Sequence, residues 1–169
     1  NGPGSGTVYN LVIEGNKIFE WNNPTVSPLK CKLQGVGMFD GMYDGVRVTN
    51  NLVSSTQYHG IAIAGALNTL INNNTVTAPL TVKQNYPWIK ISYHKNGTPS
   101  RNVRVSNNTS NGMGVPASTV NNVVTSNNVL VTAPSSEFVS PVGQNFALQS
   151  TAKSANVGAS AYAPSVDIM

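Results

Sequence analysis

Apolar and polar residues alternate in short runs along this chain, and between Val46 and Val76 one such run occurs twice. Val46-Arg47-Val48-Thr49-Asn50-Asn51-Leu52-Val53 is followed by Thr69-Leu70-Ile71-Asn72-Asn73-Asn74-Thr75-Val76. In each, an alternating stretch gives way to an asparagine-bearing polar corner, and alternation then resumes. Between the copies, His59-Gly60-Ile61-Ala62-Ile63-Ala64-Gly65 alternates again. Residues two apart share one face of a strand. Two strand-like pieces per period, joined by Asn-rich corners, predict one turn of a coiled parallel sheet.

The pattern extends both ways. Leu11-Val12-Ile13-Glu14-Gly15-Asn16-Lys17-Ile18 fits it upstream. Val103 to Ser110 and Val123 to Leu130 fit it downstream with weaker final positions. The anchor asparagines are Asn16, Asn51, Asn74, Asn108 and Asn128, at intervals of 35, 23, 34 and 20 residues. Self-similarity at a period of roughly 20–50 residues marks a solenoid. The short intervals suit a bare coil and the long ones a coil with an inserted loop. The expected fold is all-β, a parallel β-helix of about five to six coils.

Successive coils stack about 4.8 Å apart, so equivalent side chains form columns along the axis. Val, Ile and Leu at alternate positions point inward as a continuous core. An Asn at one corner of every coil tolerates an unusual backbone and bonds to the Asn above and below. No coil buries its apolar face alone, so several are needed.

Residues 1–7 form a Gly-rich lead-in without core formers, and an uncapped start suggests that further coils or another domain precede it. The coils run over 8–133, with insertions near 22–45 and 79–102. Residues 134–169 are a non-repeating cap and tail, in which Phe138, Val142, Phe146 and Leu148 plug the open end of the core. Strands are expected throughout, with no long helix. Trp88 to Ser92 alternates and reads as a strand. Asn96-Gly97 marks a tight turn.

Composition sharpens this picture. Charged residues make up 9% of the chain, against about a quarter in ordinary soluble proteins. Polarity comes instead from Asn, Ser, Thr and Gly, which disfavour helix. The net charge of +4 gives a mild attraction for anionic partners at most. Cys31 is the only cysteine, which excludes an internal disulfide, and its place beside Leu33 predicts a buried small hydrophobe. The apolar runs are too short to span a bilayer, so no membrane insertion is expected. Nothing resembles a phosphate loop or an RNA-binding motif, so no nucleic acid partner is expected. With no Cys/His cluster and no dense carboxylate set, neither metal nor cofactor is expected.

With repeat and tail in view, the chain resembles the right-handed parallel β-helices of the pectate-lyase-like superfamily over most of residues 8–168. The coil pattern carries the resemblance, with Asp40-Gly41 leading into Gly45-Val46, Tyr58-His59-Gly60-Ile61, and Trp88 followed by His94-Lys95-Asn96-Gly97-Thr98-Pro99. The ending Phe146-Ala147-Leu148, Ser154 to Gly158 and Ala163 to Ile168 is similar to how many such chains finish. That superfamily holds lyases, hydrolases, epimerases, phage tailspikes and inert adhesins, so it indicates architecture better than reaction. The resemblance implies a polysaccharide lying along an outer sheet face.

Register decides what faces solvent. If Ile61 and Ile63 point inward, Gly60, Ala62 and Ala64 make a flat outward strip. Aligning Ile89 and Ile91 with them puts Trp88, Lys90, Ser92 and His94 outward. Trp88 and Tyr93 or Tyr86 offer aromatic faces to sugar rings. Lys90, Lys95, Arg101 and Arg104 offer partners for carboxylates or sulfates, or are ordinary solvated positions. His59 shares the parity of Ile61, which favours a partly buried structural ring over a catalytic one. His94, just before the turn, is expected to be exposed. Asp40 and Asp44, with Tyr43 or Tyr58, are a candidate acid/base group of the sort a lyase, epimerase or glycosidase needs, and the two aspartates are the candidate carboxyl pair of a glycosidase. A lyase or epimerase would use His59 or His94 as base, with Lys90, Lys95 or Arg101 holding the uronate carboxylate. Met38, Phe39 and Met42 are the apolar residues expected to meet a neighbouring chain.

These observations favour a glycan-recognising β-helix, part of a phage tailspike or a similar receptor-binding spike at a virion surface or outside the cell. By resemblance it would be a homotrimer, and the same resemblance allows depolymerisation of its glycan. A secreted bacterial polysaccharide lyase or C5-epimerase is the alternative, and a purely structural solenoid the third.

Overall fold

The computed structural model describes residues 6–20, 33–79 and 86–160. Through these residues the chain visits three parallel sheets in rotation. β1 (Thr7–Tyr9) and β2 (Val12–Glu14) belong to the first sheet, β3 (Lys17–Phe19) to the second and β4 (Val36–Met38) to the third. β5 (Met42–Asp44) and β6 (Arg47–Thr49) return to the first sheet, β7 (Leu52–Ser54) to the second and β8 (His59–Ala64) to the third. The rotation repeats with β9 (Ala66–Asn72), β10 (Thr75–Thr77) and β11 (Trp88–Ser92). It repeats again with β12 (Arg101–Ser106), β13 (Thr109–Ser110) and β14 (Gly112–Gly114). β15 (Val123–Ser126) and β16 (Val129–Leu130) extend the first and second sheets. The chain is thus all-β, with mostly parallel strands in stacked sheets, compatible with a β-solenoid.

The alternating residues pack the interior as the pattern predicts. Ile13, Val48, Ile71 and Val105 form one inward row, and Ile18, Val53 and Val76 another. On the third sheet Val36, Ile61, Ile89 and Met113 stand in register, with Met38, Ile63 and Ile91 beside them. Met38 is therefore a core residue, not a surface one.

At the corner between the first and second sheets the five anchor asparagines bond in series. Asn16, Asn51, Asn74 and Asn108 each donate a side-chain amide, at 2.9 Å, to the Oδ1 of the next asparagine, ending at Asn128. The same Oδ1 atoms accept the backbone N–H of the asparagine before. The unusual backbone falls one residue earlier: Gly15, Asn50, Asn73, Asn107 and Asn127 have φ between 52° and 70°. Asn reaches this left-handed region at lower cost than other side chains. A second left-handed row, Asn10, Gly45, Asn68, Asn102 and Asn122, bends the first sheet. There Asn102 donates to Asn68 and Asn122 to Asn102.

Two expectations change. β4 and β5 occupy residues within the Gly-rich stretch expected as an insertion. The tail, moreover, folds back along the stack. After the short α1 (Pro134–Glu137), β17 (Phe138–Ser140) and β18 (Asn145–Leu148) form an antiparallel pair. Of the four expected plugs Phe138 is buried, whereas Val142 and Leu148 are 49% and 46% exposed. Phe146 instead reaches back to Phe19, with ring centroids 5.5 Å apart. Buried Glu137 anchors the following turn by accepting the backbone N–H groups of Lys153 and Ser154. Asn107 then exchanges two hydrogen bonds with the backbone of Ala159. Cys31 and the residues 163–168 invoked above lie outside the described residues.

Candidate functional site

The third sheet carries an aromatic cluster built by a single irregularity. β11 aligns Ile89 with Ile61 and Ile91 with Ile63, but Trp88 with His59, so β8 holds one extra residue at Gly60. Such a bulge reverses the facing of everything before it. Gly60 takes the inward place: a Cβ there would meet Val76 Cγ1 at 2.1 Å. Its N–H donates to the carbonyl of Tyr58 at 3.1 Å, tightening the kink. His59 is consequently carried outward beside Trp88, which corrects the parity expected from Ile61.

Four rings meet there. Tyr58 stacks on Trp88 with centroids 5.2 Å apart and planes at 28°. His59 meets the edges of Tyr58, Phe39 and Trp88 at 5.4, 5.0 and 5.8 Å. Trp88 Nε1–H points at His59 Nδ1 across a long 3.4 Å contact. Lys90 Nζ lies over the Trp88 ring, 4.9 Å from its centroid, a cation–π arrangement. Burial, and then the charge of Lys90, hold the His59 imidazole below its ordinary value of 6.5. Its neutral form can accept from the indole, which the imidazolium cannot. Tyr58 remains 39% exposed, so the stack offers ring surface and a cation together.

The strip beside this cluster is not open as expected. Ala62 and Ala64 are 2% and 6% exposed, and Gly60 faces the core. Ala62 lies in register between Gly37 and Lys90. The ring of Phe39 lies over Gly37, where an added Cβ would meet it at 2.8 Å. The outward surface is therefore an aromatic and basic ridge, not a flat small-residue strip.

The remaining candidates disperse. His94 is 5% exposed, contrary to expectation. The turn folds back on it: its N–H donates to Thr98, Gly97 N–H donates to its carbonyl, and Nδ1 accepts from Asn96 N–H at 3.3 Å. Gly65, whose Cβ would meet His94 Cβ at 3.0 Å, leaves the room. Among the described residues, the buried His94 Nε2 has no hydrogen-bond partner. Lys95 pairs with Asp40 and holds that carboxyl below its ordinary 3.8, and Asp44 accepts from Asn68 Nδ2 at 2.7 Å. Arg101 stands in register with Leu67 on the first sheet, and Tyr93 is 57% exposed on the loop after β11. Thus Tyr58, His59, Trp88 and Lys90 come together. Asp40, His94 and Lys95 form a separate corner, and Asp44, Tyr93 and Arg101 join neither group. Phe39 is the ring that sequence reasoning placed at a chain interface and the fold places in the cluster. Among the described residues no group of three His, Cys, Asp or Glu is placed to hold a metal.

A cavity lies elsewhere, over the second sheet. It measures about 920 Å³ and is lined by Leu52, Thr75 and Thr109 below and by Phe19, Gln144 and Phe146 at its sides. Nothing in the sequence periodicity signals it, because the tail that walls it lies outside the repeat. The aromatic ridge and this cavity are therefore distinct places, and the ridge holds His59 and Lys90.

No family model, no curated protein and no solved structure matches this chain.

Proposed function

We propose that the outer face of the third sheet binds a polysaccharide, and that the chain is a right-handed parallel β-helix of the pectate-lyase-like kind serving in a receptor-binding spike such as a phage tailspike. The Tyr58–Trp88 stack with Lys90 over the indole carries this reading. A pyranose presents C–H groups to an aromatic face, which carries negative quadrupole density. Lys90 can leave the ring for a sugar carboxylate or sulfate, an exchange of a cation–π contact for a charge-assisted hydrogen bond. A homotrimer accompanies the spike reading, and sedimentation of the full chain tests it.

Cleavage or epimerisation of a uronate is a second reading, favoured by one arrangement: His59 beside Trp88, its imidazole held below the ordinary 6.5 by burial and by the charge of Lys90. Removing the C5 proton needs a base, and the carboxylate needs a cation. In this arrangement, however, the Nδ1 lone pair is turned to Trp88, so His59 must first part from the indole. Binding without chemistry therefore stands ahead.

The test is a glycan array, followed by affinity measurement on whatever is retained. Trp88→Ala and Lys90→Ala should each weaken binding by about tenfold or more, the equivalent of roughly 1.4 kcal/mol, with unchanged circular dichroism. Undiminished affinity in both variants would rule out the ridge. Appearance of unsaturated uronate product, lost in His59→Ala, would promote the lyase.

A further inference from the structure

We propose a second binding site, in the cavity over the second sheet, for a short neutral oligosaccharide. It is independent of the third-sheet ridge. Its volume of about 920 Å³ falls in the range of small-molecule pockets, far above the voids that close-packed interiors leave. The floor is a column of outward residues in register across adjacent strands, Leu52 beside Thr75 and Thr75 beside Thr109. Both threonines are half-buried and line the cavity. Among the described residues, neither hydroxyl makes a hydrogen bond. They sit one strand spacing apart, about 4.8 Å, and each can donate and accept.

The facing wall supplies the complement. Phe19 and Phe146, 5.5 Å apart and tilted by 38°, provide ring faces, and the exposed Gln144 adds an amide with both donor and acceptor. Hydroxyls and amides on one side and aromatic carbon on the other match a sugar ring, whose hydroxyls lie around its edge and whose C–H groups lie on its faces. Among the described residues that line the cavity there is no Asp or Glu, and Lys17 is the only cation. A polyanion thus finds too little charge to meet and a polycation none, whereas a neutral polyhydroxylated ligand can exchange its water for the threonine hydroxyls, the Gln144 amide and the ring faces.

The experiment uses the full chain carrying Trp88→Ala, which disables the ridge, titrated with cellohexaose, maltohexaose and chitohexaose by calorimetry. At least one should bind, and Thr75→Val with Thr109→Val should weaken it about tenfold or more. These replacements keep shape and strand preference while removing the hydroxyls. In parallel, the methyl resonances of Thr75 and Thr109 in the unaltered protein should shift during the same titration. Three hexasaccharides that neither release heat nor move those resonances would overturn the site. Binding that survives the threonine pair would do so too. Because the ridge is absent from the first arm, its failure and that of the cavity are read separately.

Discussion

Asn74 Oδ1 accepts both the backbone N–H and the side-chain amide of Asn51, at 3.0 and 2.9 Å. Its own amide reaches Val48 O, Asn72 O and Asn108 Oδ1. Asn74 is 1% exposed, so its removal would leave the Asn51 backbone N–H unmatched in the interior and strip one bond each from Asn51 Nδ2, Val48 O, Asn72 O and Asn108 Oδ1. An unmatched buried atom alone costs about 1–3 kcal/mol. Asn74→Ala should therefore lower stability by about 3 kcal/mol or more, read from the urea midpoint. Asn16→Ala, at the exposed end of the series, should cost about 1 kcal/mol at most. Equal losses at the two positions would mean that the amides do not act as a buried series.

Gly60→Ala tests the bulge. The new methyl would start 2.1 Å from Val76 Cγ1 and 3.1 Å from Trp88 O. Overpacking of this kind costs about 1–3 kcal/mol, occasionally more. Because the clash pushes on β11, tryptophan fluorescence should change along with stability. A variant as stable as the parent with the same emission would show that Gly60 is not the inward residue.

Acid should loosen the aromatic cluster. His59 has a folded pKa below its ordinary 6.5, through burial first and Lys90 second. As pH falls through 6.5 the unfolded chain takes up the proton before the folded one, so stability declines. The decline ends once the pH is below the lowered folded value, and above 6.5 this histidine contributes no slope. Urea midpoints across that window should fall in the parent and less in His59→Gln. Lys90→Ala removes one cause of the shift and should narrow the window. A parent slope identical to that of His59→Gln would exclude His59 as its source.

Phe146→Ala should free the β17–β18 pair from β3. The expected outcome is faster proteolytic nicking between Ser140 and Asn145, with the parallel sheets retained by circular dichroism. Unaltered cleavage would show that the contact with Phe19 does not hold the pair.

The five-asparagine column and the inward Val and Ile rows were legible because each depends on side-chain chemistry repeated at matching corners. The second left-handed row carried the same signal: Asn68, Asn102 and Asn122 are spaced by 34 and 20 residues, as are Asn74, Asn108 and Asn128. The orientation of His59 was not legible, since one extra residue at Gly60 inverts it and glycine marks many other features. His94 looked exposed beside Asn96-Gly97. Only the return of the Thr98 carbonyl to its N–H closes the turn over the ring. The course of the tail left no trace, because a segment without period carries no register.

In an array whose repeats touch only their neighbours, melting can begin at either terminus and proceed inward one rung at a time. The Phe19–Phe146 contact joins a strand from the first rotation to a segment that follows the last, and so works as a clasp across the ends. Fraying at one extremity then strains the other. The denaturation of this chain should consequently be more nearly all-or-none than a stack of rungs alone would allow.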